Sequence, residues 1–276
     1  MATACAGATE EQSPEVDSSR IVALSGDLTE FVYELGAGDR MVGVDVTTVA
    51  PEAALELPVV GVGRFITAEG VLGVEPTLVL ADTQTSPVEV LDQITGAGAD
   101  VEILEIATTF PDLYERIERL GEILGASAEA EALVAELSAD IDSAEAVAED
   151  TELRVAYVYT RGPDVMLLFG EGMTTQPLIE AAGAVDAGVG SGIVGTVPVS
   201  AEALVAAAPD VIIVPEEGLG ILGGVDVLLE MPGVAETPAG RNRAILAYPE
   251  GDFLTFGPRI ADSLERLIAD LSVIGQ

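Results

Sequence analysis

The sequence predicts an α/β protein of two Rossmann-like lobes with parallel sheets, joined by one long helix. Three observations carry this expectation. Apolar strand-like runs alternate with helical patterns along most of the chain, which means a parallel sheet with helices on both faces. Ser127 to Asp150 is free of Gly and Pro, and Leu133, Val134, Leu137, Ile141, Ala144 and Val147 recur in it at helical steps. Such a rod is roughly 33 Å long, a domain diameter. Finally, the stretches on either side of it echo each other.

The echo is local in detail. Ala68-Glu69-Gly-Val-Leu-Gly-Val-Glu-Pro76 runs into the apolar Thr-Leu-Val-Leu-Ala-Asp82. Ala201-Glu202-Ala-Leu-Val-Ala-Ala-Ala-Pro209 runs into Asp-Val-Ile-Ile-Val-Pro215. Each reads as a short helix opened by Ala-Glu, a Pro, and a buried strand. The strand openers Arg20-Ile-Val-Ala-Leu24 and Arg154-Val-Ala-Tyr-Val158 stand at matching distances upstream. Long-range self-similarity of this kind indicates a duplicated lobe. The expected division is a tether over 1–19, a first lobe over 20–125, a linking helix over 126–150 and a second lobe over 151–276.

In the first lobe the pattern gives strands at Arg20–Leu24, Met41–Asp45, Leu78–Ala81 and Val101–Ile106. A short extended segment runs from Pro58 to Arg64. Helices fall at Leu28–Leu35, around Glu69, at Val88–Thr95 and at Phe110–Leu124. In the second lobe strands fall at Arg154–Tyr159, Val165–Phe169, Val211–Val214 and Ala244–Ala247. Helices fall at Thr174–Ala182, around Glu202, at Gly223–Met231 and at Ile260–Ile274. Gly188–Val199 and Tyr248–Arg259 read as loops, and Ser127 reads as the N-cap of the linking helix. Ligands of such sheets sit beyond the carboxyl ends of the strands. That places Ser25–Asp27, Asp45–Thr48, Gly63–Phe65 and Asp82–Thr85 at the mouth of the first lobe.

Composition excludes several chemistries. The chain of 276 residues carries a net charge of −37, and its 11 basic residues are all Arg. A nucleic-acid partner needs a basic face and is not expected. There is no His, so a Ser-His-Asp or Cys-His hydrolase and an imidazole metal cage are excluded. The single Cys5 permits no internal disulfide. Gly36-Ala-Gly38-Asp-Arg-Met-Val-Gly43 follows a helix and lacks the spacing of a dinucleotide cradle, which argues against a nucleotide-dependent two-lobed enzyme. No catalytic residue is assigned.

Taken together, the segments resemble the solute-binding proteins of bacterial ABC importers for iron chelates, haem and cobalamin, a periplasmic-binding-protein fold with a helical backbone. The haemin-binding members are the most similar. The resemblance runs from about Arg20 onward. It is strongest in Leu35-Gly-Ala-Gly-Asp-Arg-Met-Val-Gly-Val-Asp45, Ala68-Glu-Gly-Val-Leu72, Leu222-Gly-Gly-Val-Asp226, Thr237-Pro-Ala-Gly-Arg-Asn-Arg243 and Phe256-Gly-Pro-Arg259.

The resemblance implies that the chain captures haem or a related iron chelate between its lobes and performs no covalent chemistry. Haem is then cargo, not cofactor. It implies docking of Glu69 and Glu202 onto Arg pockets of a membrane permease. Met1-Ala-Thr-Ala-Cys5 resembles the end of a lipoprotein signal, with Ala2 where the usual Leu stands, and implies extracytoplasmic lipid anchoring at Cys5. A monomer is expected. In the segment where many haemin binders carry an iron-ligating Tyr, this chain has Gly61-Val62-Gly63-Arg64; the Arg is kept and the Tyr is not.

The expected ligand-binding residues are Arg64, Phe65, Tyr159, Arg161, Met173, Tyr248, Phe256 and Arg259, with Tyr159 and Tyr248 as candidate iron ligands. The arginines at the mouth suit propionates or siderophore oxygens. A ferric siderophore or cobalamin is the alternative cargo, and a surface scaffold lipoprotein the alternative role.

Overall fold

The computed structural model describes residues 16–62 and 65–275. In the first lobe, strands β1 (Ile21–Ala23), β2 (Met41–Asp45), β3 (Val59–Val62), β4 (Phe65–Ile66), β5 (Leu78–Asp82) and β6 (Asp100–Leu104) form one sheet in the order β4-β3-β2-β1-β5-β6. All its pairings are parallel except β3 with β4. Helices α1 (Gly26–Glu34), α2 (Ala68–Leu72), α3 (Val88–Gly96) and α4 (Phe110–Leu124) cover it.

Helix α5 (Ser127–Glu145) leads to the second lobe. There, β7 (Arg154–Thr160), β8 (Met166–Phe169), β9 (Val185–Asp186), β10 (Thr196–Pro198), β11 (Val211–Pro215) and β12 (Ile245–Tyr248) form the second sheet. Its order is β10-β8-β7-β11-β12, with β9 paired to the start of β7. The parallel trio β7, β11, β12 corresponds to β1, β5, β6, whereas β8 and β10 add an antiparallel edge. Helices α6 (Thr175–Ala181), α7 (Ala201–Ala207), α8 (Glu216–Leu222), α9 (Val225–Glu230), α10 (Pro238–Asn242), α11 (Gly251–Leu254) and α12 (Ile260–Ile274) complete the lobe.

The repeat read from sequence has a physical counterpart on each side. Thr67 caps α2 by accepting from the Gly70 amide at 3.1 Å, and Ser200 caps α7 by accepting from the Ala203 amide at 3.1 Å. Both segments then turn through a left-handed residue just before the Pro, Glu75 at φ 49° and Ala208 at φ 43°. Arg20 donates to the Val74 and Glu75 carbonyls, and Arg154 to the Ala207 carbonyl. In each lobe the strand-opening arginine therefore closes the carbonyl end of the short helix.

Helix α5 packs on α4 in the first lobe and on α12 in the second. Leu137, Ile141 and Ala144 are buried on it, with Leu133 and Val134 partly so. One hydrophobic cluster runs unbroken from Leu28 and Phe31, through these residues, to Tyr157 and Phe253. Phe110, opening α4, stacks on Phe256 ahead of α12, with ring centroids 5.5 Å apart at 17°. The lobes are thus packed together at the root of the cleft as well as tethered.

Four expectations change. Helix α5 stops at Glu145, not Asp150: Val147 finds nothing to pack on, and Glu145, Glu149 and Asp150 crowd the negative end of the dipole. Ser127 is its first residue and not its cap. Gly125, left-handed at φ 68°, ends α4, and Ala126 alone turns the corner. The expected loop over 188–199 contains β10, and that over 248–259 contains α11. Helix α8 was also hidden, because Glu216–Leu222 carries two Gly and too short an apolar pattern.

Candidate ligand-binding cleft

A cavity of about 1170 Å³ opens between the lobes, at the carboxyl ends of the parallel strands of both sheets. It exceeds the roughly 300–1,000 Å³ of ordinary small-ligand pockets. From the first lobe come the segments after β1 (Ser25, Gly26, Asp27), β2 (Val46, Thr47), β5 (Gln84, Thr85) and β6 (Ile106, Thr108). From the second come Arg161 after β7, Glu217 after β11, and Glu250 to Asp252 after β12. The β8 edge and its following turn add Leu167, Phe169 and Met173.

The two walls differ in chemistry. Asp27, Glu30, Asp45 and Asp82 line the first lobe's side, with exposed Val46 and Val49 at its lip. The second lobe's side carries Tyr159, Leu167, Phe169, Met173, Leu254 and Phe256 beside the carboxylates of Glu217, Glu250 and Asp252. An aromatic ladder backs this wall. The Tyr159 ring lies 6.2 Å from Phe169, Phe169 lies 5.0 Å from Tyr157, Tyr157 lies 5.8 Å from Phe253, and Phe253 lies 5.0 Å from Tyr248. The ladder packs against the Tyr159 ring, and Tyr159 itself lines the cleft.

Each arginine lining the described cleft meets a carboxylate. Arg116 pairs with Asp27 at 2.8 Å, both almost wholly buried. Arg161 donates from Nη2 to Glu250 at 2.7 Å and from Nε to the Tyr159 hydroxyl at 2.8 Å. Arg259 donates from Nε and Nη2 to the two oxygens of Glu30, at 2.9 and 2.8 Å. The last pair crosses between lobes. Burial pushes the Glu30, Asp82 and Glu250 carboxyls above their usual range, outweighing the pull of Arg259 on Glu30 and of Arg161 on Glu250.

Of the residues expected to bind ligand, the structure brings Tyr159, Arg161, Met173, Phe256 and Arg259 to one cavity. Tyr248 is not among them. It is buried at the far end of the aromatic ladder, its hydroxyl donates to Asp270 at 2.5 Å, and the Arg266 guanidinium lies 5.4 Å from its ring centre. Its reading as an iron ligand is withdrawn: Tyr248 ends β12 pointing into the core, whereas Tyr159 points to the cleft. Phe65 is 81% exposed and does not line the cleft. Arg64 and Cys5 lie outside the described residues. Sequence reasoning missed Glu30 and Glu250. The first lies one helical turn past Asp27, already placed at the mouth, and that spacing was the available signal. Glu69 and Glu202 are both exposed, each in the first turn of its short helix.

The family pattern described as periplasmic binding protein matches residues 21–250. The chain belongs to the periplasmic binding protein family. A curated relative is the uncharacterized ABC transporter substrate-binding lipoprotein YvrC of Bacillus subtilis (strain 168), 26% identical over 91% of this chain and 79% of its own length. A vitamin B12-binding protein of Yersinia pestis is 33% identical, over only 32% of this chain and 31% of its own.

Among solved structures, the periplasmic heme-binding protein RhuT from Roseiflexus sp. RS-1, in apo form, superposes with a TM-score of 0.90 at 38% identity, covering 94% of this chain and 100% of that one. The periplasmic heme-binding protein BhuT, solved with two hemes, gives 0.84 at 32% identity over 92% and 98%. HutB of Vibrio cholerae, also a periplasmic heme-binding protein, gives 0.84 at 28% over 92% and 99%. As a periplasmic binding protein, the chain has solute-binding proteins for its family and neighbours.

Proposed function

We propose that this periplasmic binding protein is the extracytoplasmic receptor of an ABC importer, and that it captures haem in the interlobe cleft. The observation that carries the reading is the second lobe's wall. Leu167, Phe169, Met173 and Leu254 line it together with Tyr159, whose phenol oxygen accepts from Arg161 at 2.8 Å. A macrocycle needs such a surface for its ring, and a ferric ion needs one hard oxygen ligand at its centre. The likeness to heme-binding proteins along nearly the whole chain supports the same cargo. Arg161 and Arg259 flank the wall and suit the two propionates.

Delivery uses the outer corners. Glu69 and Glu202, exposed on equivalent capped helices, give the two lobes matching anionic points for cationic pockets of a permease, which fix register more than affinity. The chain works as a monomer, carries out no covalent chemistry and is held at the membrane through a lipid on Cys5.

Haemin titration of the purified protein tests the cargo. A saturable shift of the haem visible spectrum is expected, with calorimetry alongside because the chain has no Trp. Binding of cobalamin or a ferric siderophore with no haemin shift would overturn it.

A further inference from the structure

A cleft that takes an anionic ligand into a chain of charge −37 should present free cations, yet its half-exposed arginines are occupied. Arg259 is 49% and Arg161 46% exposed at the side chain, and both line the cavity. Their partners are more enclosed, Glu30 at 10% and Glu250 at 22%. Glu30 engages Arg259 through two parallel N–H···O bonds, the geometry a ligand carboxylate itself would adopt. Glu250 engages Arg161 through Oε1 only; its Oε2 is buried without a hydrogen-bond partner. The Arg116–Asp27 pair, buried at both ends, is a fixed part of the floor and presents no such exchangeable face.

We propose that Glu30 and Glu250 are resident stand-ins for ligand carboxylates, and that the ligand is captured by carboxylate exchange. The two carboxylates of the cargo take over Arg259 and Arg161. The displaced glutamates take up protons from solvent, so no uncompensated anion is left in the cleft. This rests on the haem reading in one respect, that the cargo carries two carboxylates.

The surroundings favour protonation of what is displaced. Glu30 faces Arg259 from the residue before α12, Asp27 on its own helix and Asp252 on α11. Glu250 faces Arg161, which follows β7, Tyr157 on β7, and Glu217 from α8, whose carboxylate also accepts the Glu250 amide at 3.0 Å. Once the arginine is taken, each glutamate is left among carboxylates in a partly buried site, where the neutral form is favoured. Exchange therefore consumes protons, set against the one proton that Tyr159 releases on binding iron as phenolate, and it favours capture as pH falls from neutral toward the carboxyl range. Because both arginines are about half exposed, each stand-in weakens binding by only about two- to fivefold.

The test is calorimetric titration of the full chain with haemin at neutral pH, in two buffers of different protonation enthalpy. The wild type should take up more protons with haemin than with haemin dimethyl ester, whose binding carries the same Tyr159 proton release without the exchange. Glu30→Gln and Glu250→Gln keep side-chain size, and each should bind haemin about two- to fivefold tighter with its share of the proton uptake gone. Haemin dimethyl ester, which lacks the carboxylates, should be indifferent to both substitutions. A proton uptake with haemin no larger than with its ester, or variants that bind no tighter, would overturn exchange while leaving the haem reading intact. Haemin that binds neither wild type nor variants overturns both. The wild-type proton count does not depend on the variants folding.

Discussion

The two lobes agree at their outer corners and disagree at their inner faces. At the corners the match extends to single atoms: Thr67 and Ser200 cap equivalent helices, Glu69 and Glu202 stand in equivalent first turns, and Arg20 and Arg154 close the far ends. Inside the cleft both lobes present carboxylates, but one adds a valine lip and the other an aromatic ladder ending in Tyr159. On the proposed function, the two lobes stay alike where both dock on one permease. They diverge where a single asymmetric ligand is gripped from two sides. Strand β8, which pairs antiparallel with β7 where the first lobe has β2 parallel to β1, supplies Leu167 and Phe169 and leads to the turn bearing Met173.

Charge reversal at the corners should break the symmetry most severely. Glu69→Arg and Glu202→Arg set cation against cation at the permease, so each alone should lower haem uptake by vesicles carrying the importer by roughly two orders of magnitude, with haemin affinity unchanged. If only one reversal impairs uptake, the corners are alike in structure but not in use.

The next test concerns the second lobe alone. A β-carbon at Gly218 would run into the Thr160 carbonyl, where α8 crosses the end of β7. Gly218→Ala should cost about 1–3 kcal/mol in denaturant melts and weaken haemin binding as well, because Arg161 and Glu217 flank the displaced contact. Unaltered binding would mean that the mouth of this lobe tolerates a shift of α8.

The caps give a finer comparison. Thr67→Ala and Ser200→Ala should each cost about 1 kcal/mol, and by similar amounts. A large inequality would show that one corner is braced by something other than its cap.

The smallest expected effect is on pH dependence. Burial raises the carboxyls of Glu30 and Asp82 in the first lobe, and of Asp186 and Glu250 in the second. The native state therefore binds protons more tightly than the unfolded chain, and stability falls as pH rises from the ordinary carboxyl range through these elevated values. The thermal midpoint should rise as pH is lowered from neutral toward about 5, and Glu30→Gln and Glu250→Gln should each flatten part of that rise. A midpoint that falls on such mild acidification would contradict the account.

Much of the scaffold was legible because its signals are local. Alternating strand and helix patterns, the Ala-Glu…Pro repeat and the apolar stripe of α5 each lie within one window of sequence. The end of α5 at Glu145 was not, because it depends on what Val147 fails to meet in space. The same limit applies to the cleft. Tyr159 and Tyr248 both stand at the ends of strands, and sequence reads them alike. Only the sheet shows that one side chain faces ligand space and the other Asp270. Glu30 and Arg259 are 229 residues apart, and no pattern in either neighbourhood announces their pairing.

The most direct measurement is the visible spectrum of the haemin complex, ferric and ferrous, for wild type and Tyr159→Phe side by side. Coordination through the Tyr159 oxygen predicts a ferric phenolate spectrum in the wild type. In the variant it should be lost, with roughly 30- to 100-fold weaker binding, since one central contact of this kind carries about 2–3 kcal/mol. Identical spectra and affinities in the two proteins would show that the ladder-backed tyrosine does not hold the iron, and that the second lobe's wall is not the site of capture described here.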